Sequence, residues 1–421
     1  MVAQEILQVF YAPHKAFKKI VQDPKFLGPL LIVIVFVAVQ VGSAYVIASK
    51  SYLEQTLPNG TEGDTWTENA GFWQSNSGVT ITNNTFDYIN GSSLYYNTTS
   101  IEFKVDNASS IDLFLNNLGG SVNCGPDGFQ NLSVRVKIVS PNVDPQNVTL
   151  YLFSLSPTNF FAYDLTSAFS NINVTEWRNI TVPVGSGDWA SSNSAASWEN
   201  ITGLRMNFLW QNTSSINLRV DGLFFRGIYK ESLDVYGSSI LISSALNSVT
   251  PYLAQWIVLT ALIYLLIKGL KGSVVWKPVM VAVGFALVTL VVQSVILLVA
   301  YTTLSNINYS LEVLANIPVE ADVAYQSVQT VIAQVLLVGN IVQIIIYAWM
   351  IALGTFITRA VTAPAIPVIA TTTEGEGMTE AQQFGWMKCL LVSGAGYLVT
   401  IIVLGFLGIG WPPRDPRGSR W

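Results

Sequence analysis

The asparagines of this chain carry its most explicit chemistry. Asn59, Asn83, Asn90, Asn97, Asn107, Asn131, Asn147, Asn173, Asn179, Asn200 and Asn212 each stand two residues before Ser or Thr, and Asn308 repeats the pattern further on. That triplet is the acceptor for N-linked glycosylation, and it marks surfaces that have left the cytoplasm. A block this rich in Asn, Ser and Thr makes roughly five such triplets by chance, about half of those in it, so the surplus favours real glycan attachment. Other reactive residue types are scarce. His14 is the only histidine, and Cys124 and Cys389 are the only cysteines. A His/Cys metal centre or a Ser-His-Asp arrangement is thereby excluded. Gly269-x-x-Gly272 is loop punctuation rather than a phosphate cradle, and the expectation is that the chain is not an enzyme.

The sequons need an element order that places them outside a cell, and the hydropathy supplies one. Of 421 residues, 51% are apolar and only 11% are charged, and the mean hydropathy is +0.44; this composition belongs to a membrane protein. A bilayer core needs about 20 apolar residues per helix. Such spans fall at 27–49, 238–267, 278–304, 324–358 and 388–410, with 1–26 before the first, a polar block at 50–237 and a short tail at 412–421. The first span begins too late and runs too long for a cleaved signal and reads as a signal anchor. Lys15, Lys18, Lys19 and Lys25 precede it, whereas Glu54, Glu62, Asp64 and Glu68 follow. The N-terminus is therefore expected in the cytoplasm and the sequon block outside a cell (plasma) membrane. Lys268, Lys271 and Lys277, then Arg359 and Lys388, mark the later cytoplasmic loops, and Glu312, Glu320 and Asp322 an outer one. Five spans put the tail outside, against the preference of Arg414, Arg417 and Arg420 for the cytoplasm. The fourth span is long enough for a sixth crossing or a projecting helix, but no turn signal stronger than Gly339-Asn340 interrupts it.

The outer block holds 9 basic and 17 acidic residues over 50–237, a poor partner for nucleic acid. Cys124 lies in it and Cys389 at the membrane, so no disulfide forms within the chain. A glycosylated outer domain without cross-links is unusual for the eukaryotic secretory route and points to an archaeal cell surface. Period-two alternation marks strands at SVRVKIV (133–139), VTLYLFSL (148–155), RNITVPV (178–184), GLRMNFLW (203–210) and INLRVDGLFFRGIY (216–229), separated by Gly, Pro, Asn and Ser clusters. Many short strands at near-regular spacing predict a β-sandwich with no helix beyond short turns. The fold class is then a membrane α-helical bundle of five helices plus an all-β extracellular sandwich.

Particular stretches of the block, TENAGFWQSNSGVTITNNT, INGSSLYYN, WRNITVPVGSGDW, SWENITGLRMNFLW and INLRVDGLFFRG, resemble the galactose-binding-like jelly rolls of carbohydrate-binding modules over about 66–229. That resemblance implies a structural calcium near the first and last strands, carried by Glu68 and Asp221, an ion that wants six to eight hard oxygen ligands. Candidate sugar platforms are Trp66, Trp73, Trp189, Trp198 and Trp210, because an indole face stacks on the apolar face of a pyranose; each competes with a core role. Likeness of fold alone does not establish ligand binding.

Before the first span, Pro13 is positioned to start a short helix with Phe17 and Ile20 on one side and Lys15, Lys18 and Lys19 around the other. It is expected to lie in the cytoplasmic interface, apolar face in the bilayer and lysines toward lipid phosphates. Its Pro-x-x-x-Phe-x-x-Ile, the following Asp-Pro, and the stretches GLKGSVVWKPVMVAVGFALV (269–288), YAWMIALGTFITRAV (347–361) and FGWMKCLLVSGAGYLVTIIVLGFLG (384–408) resemble the Yip family of Ypt- and Rab-interacting membrane proteins. The resemblance implies five spans, a cytoplasmic start and a short exterior tail, with the β-domain inserted between spans one and two. The spans lack the carboxylates or bases of an ion-coupled carrier and contain amides instead, Gln255, Gln293, Gln329, Gln334, Asn340 and Gln343, which read as interhelical hydrogen-bonding groups. The expected function is a non-enzymatic scaffold or adaptor of Yip type whose glycosylated sandwich contacts cell-surface glycan, the surface layer or a neighbouring membrane protein, with no cofactor required beyond the calcium. Two alternatives stay open: an accessory subunit of a transporter, secretion or respiratory complex, and a channel or carrier lined by the glutamines.

Overall fold

The structure, a computed structural model, describes residues 2–170, 176–185, 187–363 and 383–408. The sequon at Asn173 and the tail at 412–421 lie outside them. The chain divides into two compact units, residues 1–50, 232–306 and 331–421 forming one, and 51–231 with 307–330 forming the other.

The first unit is helical. Its elements are α1 (Val2–Tyr11), α2 (Pro13–Gln22), α3 (Leu27–Lys50), then, past the short α4 (Thr65–Glu68) of the other unit, α5 (Ser232–Tyr236), α6 (Ser239–Gly269), α7 (Trp276–Ala286) and α8 (Val288–Thr302). After α9 (Leu311–Leu314), also of the other unit, come α10 (Glu320–Val361), whose first residues to 330 belong to that unit too, and α11 (Trp386–Phe406). Five helical stretches, with α7 and α8 counted as one, are long and apolar enough to cross a membrane. Their limits fall within a few residues of the spans expected from hydropathy. The long fourth span is one helix of 42 residues, unbroken at Gly339-Asn340.

Small residues let these helices approach closely. A Cβ on Gly28 of α3 would meet the Phe285 ring at 2.0 Å, and one on Gly354 of α10 would meet Ser393 Oγ of α11 at 2.1 Å. Polar groups find partners across helices: Gln40 Nε2 donates to Ser294 Oγ at 2.8 Å, Trp256 Nε1 to the Met280 carbonyl at 2.7 Å and Ser393 Oγ to the Ile351 carbonyl at 2.7 Å. Gln255 bonds Tyr397 across α6 and α11, and Gln293 is buried, whereas Gln329, Gln334 and Asn340 are exposed on α10 and Gln343 donates to Tyr347 within it. Pro13 opens α2 as the sequence predicts. The apolar face of α2 differs from the expectation: Phe17 and Ile20 are buried in the helical core against α7, not offered to lipid. Lys15, Lys18 and Lys19 remain exposed on the opposite side of α2.

The second unit is a β-sandwich. Its strands are β1 (Ser51–Leu57), β2 (Gln74–Ser75), β3 (Thr80–Asn84), β4 (Ser100–Leu115), β5 (Asn131–Ser140), β6 (Asn147–Ser154), β7 (Ser156–Asp164), β8 (Arg178–Pro183), β9 (Ala190–Ser191), β10 (Ile201–Glu231) and β11 (Ile307–Tyr309). The two long strands β4 and β10 pair antiparallel from Leu204 to Val220 of β10, with register breaks around Leu209 to Ile216. On one side of the break β10 pairs β6, which pairs β7; on the other it pairs β5, which pairs β8. One ribbon thus serves both layers. Alternation sets the faces: Leu204, Met206, Phe208, Ile216, Leu218 and Val220 of β10 point into a core shared with Ile101, Phe103, Ile111 and Leu113 of β4. The run from 203 to 229, read as two strands, is one strand because its bend lies inside the sheet.

Residues 307–330, expected as an outer loop to 323 and the start of the fourth span from 324, belong to this unit. β11 lies parallel to β1, and Leu311, Ala315 and Ile317 join Ile89, Tyr96 and Phe224 in a second apolar cluster. Two buried arginines hold the segment. Arg226 bonds both carboxylate oxygens of Glu54, at 2.9 and 2.7 Å, and both of Glu312; Arg135 bonds Glu320 at 3.3 and 2.6 Å. Bidentate charge-assisted bonds of this kind fix geometry as well as charge.

Candidate functional site

Two places in the sandwich bring together groups able to bind something. In the first, α4 is a single turn whose ends carry Asp64, just before it, and Glu68, its last residue. The bend after Val220 carries Asp221 across to them, and oxygens of the three carboxylates lie within 4.8 Å of one another. Asp64 and Asp221 are each 1% exposed. The 85–99 loop covers the group from above: Ile89 N–H donates to Asp221 Oδ2 at 2.7 Å, Asn97 N–H to Asp64 Oδ1 at 3.1 Å and Thr99 Oγ1 to Glu68 Oε2 at 2.5 Å. Gly222 N–H donates to Asp221 Oδ1 at 2.7 Å, and Gly222 sits at φ +54° with Tyr96 2.6 Å from where a Cβ would be. That close approach requires glycine.

Among the described residues no lysine, arginine or histidine forms an ion pair with these three carboxylates. Burial, then the neighbouring Asp221 and Glu68 charges, raise the Asp64 carboxyl far above the carboxylate range. Burial raises Asp221 as well, against the pull of its N–H donors. Asp64 and Asp221 share a hydrogen bond, so without a cation one of them holds a proton. An all-oxygen, anionic, half-enclosed donor set of this kind suits a hard divalent ion. Glu68 and Asp221, expected to meet, do meet. Asp64 was not anticipated, although its i, i+4 spacing from Glu68 on a helical turn is a signal for a shared face.

The second place is the outer face of the layer β2-β4-β10-β6-β7. Phe114 of β4, Arg205 of β10 and Tyr151 of β6 are register partners, and β7 brings Phe160 beside Tyr151, rings 5.3 Å apart and edge to face. The Arg205 guanidinium lies 5.2 Å from the Phe114 ring centre and 5.1 Å from that of Tyr151, a cation–π arrangement with both. Its Nε donates to Asp112 Oδ1 at 2.6 Å, and Asn207 Nδ2 to the same oxygen at 2.8 Å. Asn116 Nδ2 donates to Gln74 Oε1 at 2.8 Å at the edge. The rings and the guanidinium are half-buried. The row spans four strands, about 14 Å, and offers ring faces alternating with donors and acceptors.

The tryptophans expected to form sugar platforms do not lie there. Trp66, Trp73, Trp189 and Trp210 are buried in the core, and Trp198 is stacked on Phe161 at 3.8 Å. Trp73, Trp189 and Trp210 donate their indole N–H to main-chain carbonyls, which lets a large apolar ring be buried at no polar cost. Parity along a strand was the missed signal: Trp210 shares the inward parity of Met206 and Phe208, whereas Tyr151 shares the outward parity of Thr149. No described sequon asparagine is buried. Cys124 is free and buried in the core, and Cys389 is free and buried in the helical unit.

No family model matches the chain, and no curated protein matches it. Solved structures similar to it include a family 11 carbohydrate-binding module from Clostridium thermocellum in complex with a β-1,3-1,4-mixed-linked tetrasaccharide, 12% identical, covering 41% of this chain and 94% of that one with a TM-score of 0.26. A family 30 carbohydrate-binding module of a C. thermocellum cellulosomal cellulase is 9% identical over 36% of this chain and 88% of its own, TM-score 0.26. A β-1,2-glucanase from Parabacteroides distasonis is 11% identical over 39% and 24%, TM-score 0.27.

Proposed function

We propose that this chain is a membrane-anchored, non-enzymatic scaffold whose β-sandwich binds saccharide across the Phe114–Arg205–Tyr151–Phe160 face. The observation that carries the reading is the cross-strand row itself. Half-exposed ring faces meet the apolar face of a pyranose, and Arg205, Asp112 and Asn207 present both donors and acceptors to its hydroxyls. A polar site that loses its partner on truncation discriminates strongly. The test is binding of the full chain in mild detergent to a polysaccharide and envelope-glycan array. Tyr151→Ala and Arg205→Ala should each weaken binding at least about tenfold, and absence of binding by the parent protein to every glycan would refute the saccharide reading.

In this reading Asp64, Glu68 and Asp221 hold a structural calcium that fixes the 85–99 loop, the ion supplying the positive charge their burial demands. The sandwich faces the exterior of a cell membrane and the N-terminus the cytoplasm, supported by the lysines before α3 and the sequons after it. The Yip-type helical scaffold and an archaeal surface are further parts of the proposal, supported by the quoted motifs and by glycan acceptors without disulfides. Co-purification in gentle detergent with mass spectrometry separates a lone scaffold from a complex subunit.

A further inference from the structure

One of the glycan acceptors lies on the very face assigned to saccharide. Asn147, Thr149 and Tyr151 alternate on β6 with the buried Val148, Leu150 and Leu152, so all three point outward. Thr149 Oγ1 donates to Asn147 Oδ1 at 2.8 Å, confirming that the sequon's two polar side chains share that side. The register continues across the sheet: Asn147 opposes Leu209, Thr149 opposes Asn207 and Tyr151 opposes Arg205. Asn147 is therefore in the same outward row as Tyr151, about 13 Å along the strand. Its amide is free to be modified, as at most of the described sequons. The side-chain amide nitrogens of Asn83, Asn97 and Asn179 donate to the Glu68 carbonyl, Asp64 and Glu320, whereas that of Asn147 donates to nothing among the described residues.

We propose that an N-linked glycan on Asn147 lies back along the Asn207–Arg205–Tyr151 face, so that the chain's own saccharide occupies the site and competes with an external one. Attachment replaces one N–H of the Asn147 amide by a bond from Nδ2 to the anomeric carbon. The donor is an oligosaccharide linked to a lipid pyrophosphate; its anomeric C–O bond breaks, the lipid pyrophosphate leaves, and the amide proton passes to a base of the transferase. The first sugars then reach Asn207, and the next reach the Arg205 guanidinium and the Tyr151 ring. The competition rests on the saccharide reading of this face; the seating of the glycan does not. A face covered for about nine-tenths of the time binds an external glycan about tenfold more weakly.

The test uses the full chain made in a glycosylating host, with N147Q and T149A to remove the sequon and T149S to keep it. Intact-glycopeptide mass spectrometry reads occupancy, and phenylglyoxal labelling of Arg205 reads cover of the face. Expected are an occupied Asn147, slow labelling of Arg205 in the parent and T149S, and several-fold faster labelling in N147Q and T149A. Array binding should rise about tenfold in the same two variants. An unmodified Asn147, or Arg205 labelling equal in all four proteins, would overturn the proposal. Protection of Arg205 with no glycan binding by any variant would uphold the seated glycan and overturn external recognition. Equal array binding with and without an occupied Asn147 would overturn the competition and leave recognition standing.

Discussion

Raising the pH of metal-free protein should destabilise the sandwich, and calcium should remove the effect. Asp64 and Asp221 are buried together with Glu68 beside them, and their carboxyls are pushed up to about 9 and about 7. The sign is the reverse of the usual carboxylate case. A folded pKa above the unfolded one gives stability that is complete below about pH 4 and is lost as pH rises through the folded values. The loss should therefore run from about pH 4 to about pH 9. For charges within 4.8 Å, an effective dielectric of about 20 gives about 3 kcal/mol of repulsion per ionised pair. A domain of this size shifts its melting temperature about 2–4 °C per kcal/mol, so the Asp64–Asp221 pair alone should lower it by about 6–12 °C. Calcium at a hundred times its dissociation constant should return about 2.7 kcal/mol. The assay is a thermal melt of the full chain in detergent, followed by tryptophan emission, with chelator or calcium at each pH. Asp221→Asn should flatten the pH dependence and abolish the calcium response. A melting temperature independent of pH in chelator, or identical with and without calcium, would refute the reasoning.

Other consequences are as direct. Glu54→Ala should cost about 3–5 kcal/mol, because Arg226 would be left buried with half its partners; denaturant unfolding measures it, and a change under about 1 kcal/mol would show the clamp to be dispensable. Burial pushes the Cys124 thiol up to about 12, so a maleimide at about pH 8 should leave it unlabelled in the folded protein and label it after unfolding. Gly28→Ala should destabilise the helical unit by about 1–3 kcal/mol through overpacking on Phe285, read as a lower melting temperature in detergent; an unchanged melt would mean the ring swings aside freely. Trp210→Phe should leave glycan binding unaltered while Tyr151→Ala abolishes it, and the opposite ranking would return the platform role to the tryptophans.

The parts of this protein legible in its sequence are those set by one-dimensional patterns. Hydropathy located the five long helices to within a few residues, because a run of apolar side chains needs no knowledge of its neighbours to be recognised. Alternation found β5, β6 and β8 for the same reason, and missed β4, whose middle Asp106–Ser110 breaks the pattern at the bend between layers. Glu68 and Asp221 could be paired only through resemblance, and Asp64 was passed over because a four-residue helical turn leaves almost no periodic trace. The tertiary structure alone decided that 307–330 returns to the sandwich, that the apolar side of α2 packs on α7, and that the tryptophans fill the core while Phe114, Arg205, Tyr151 and Phe160 share a face. Each of these depends on which residues stand opposite one another across strands and helices. Register joins positions as distant as Phe114 and Arg205, and it is fixed by packing of the whole core rather than by any local run of residues.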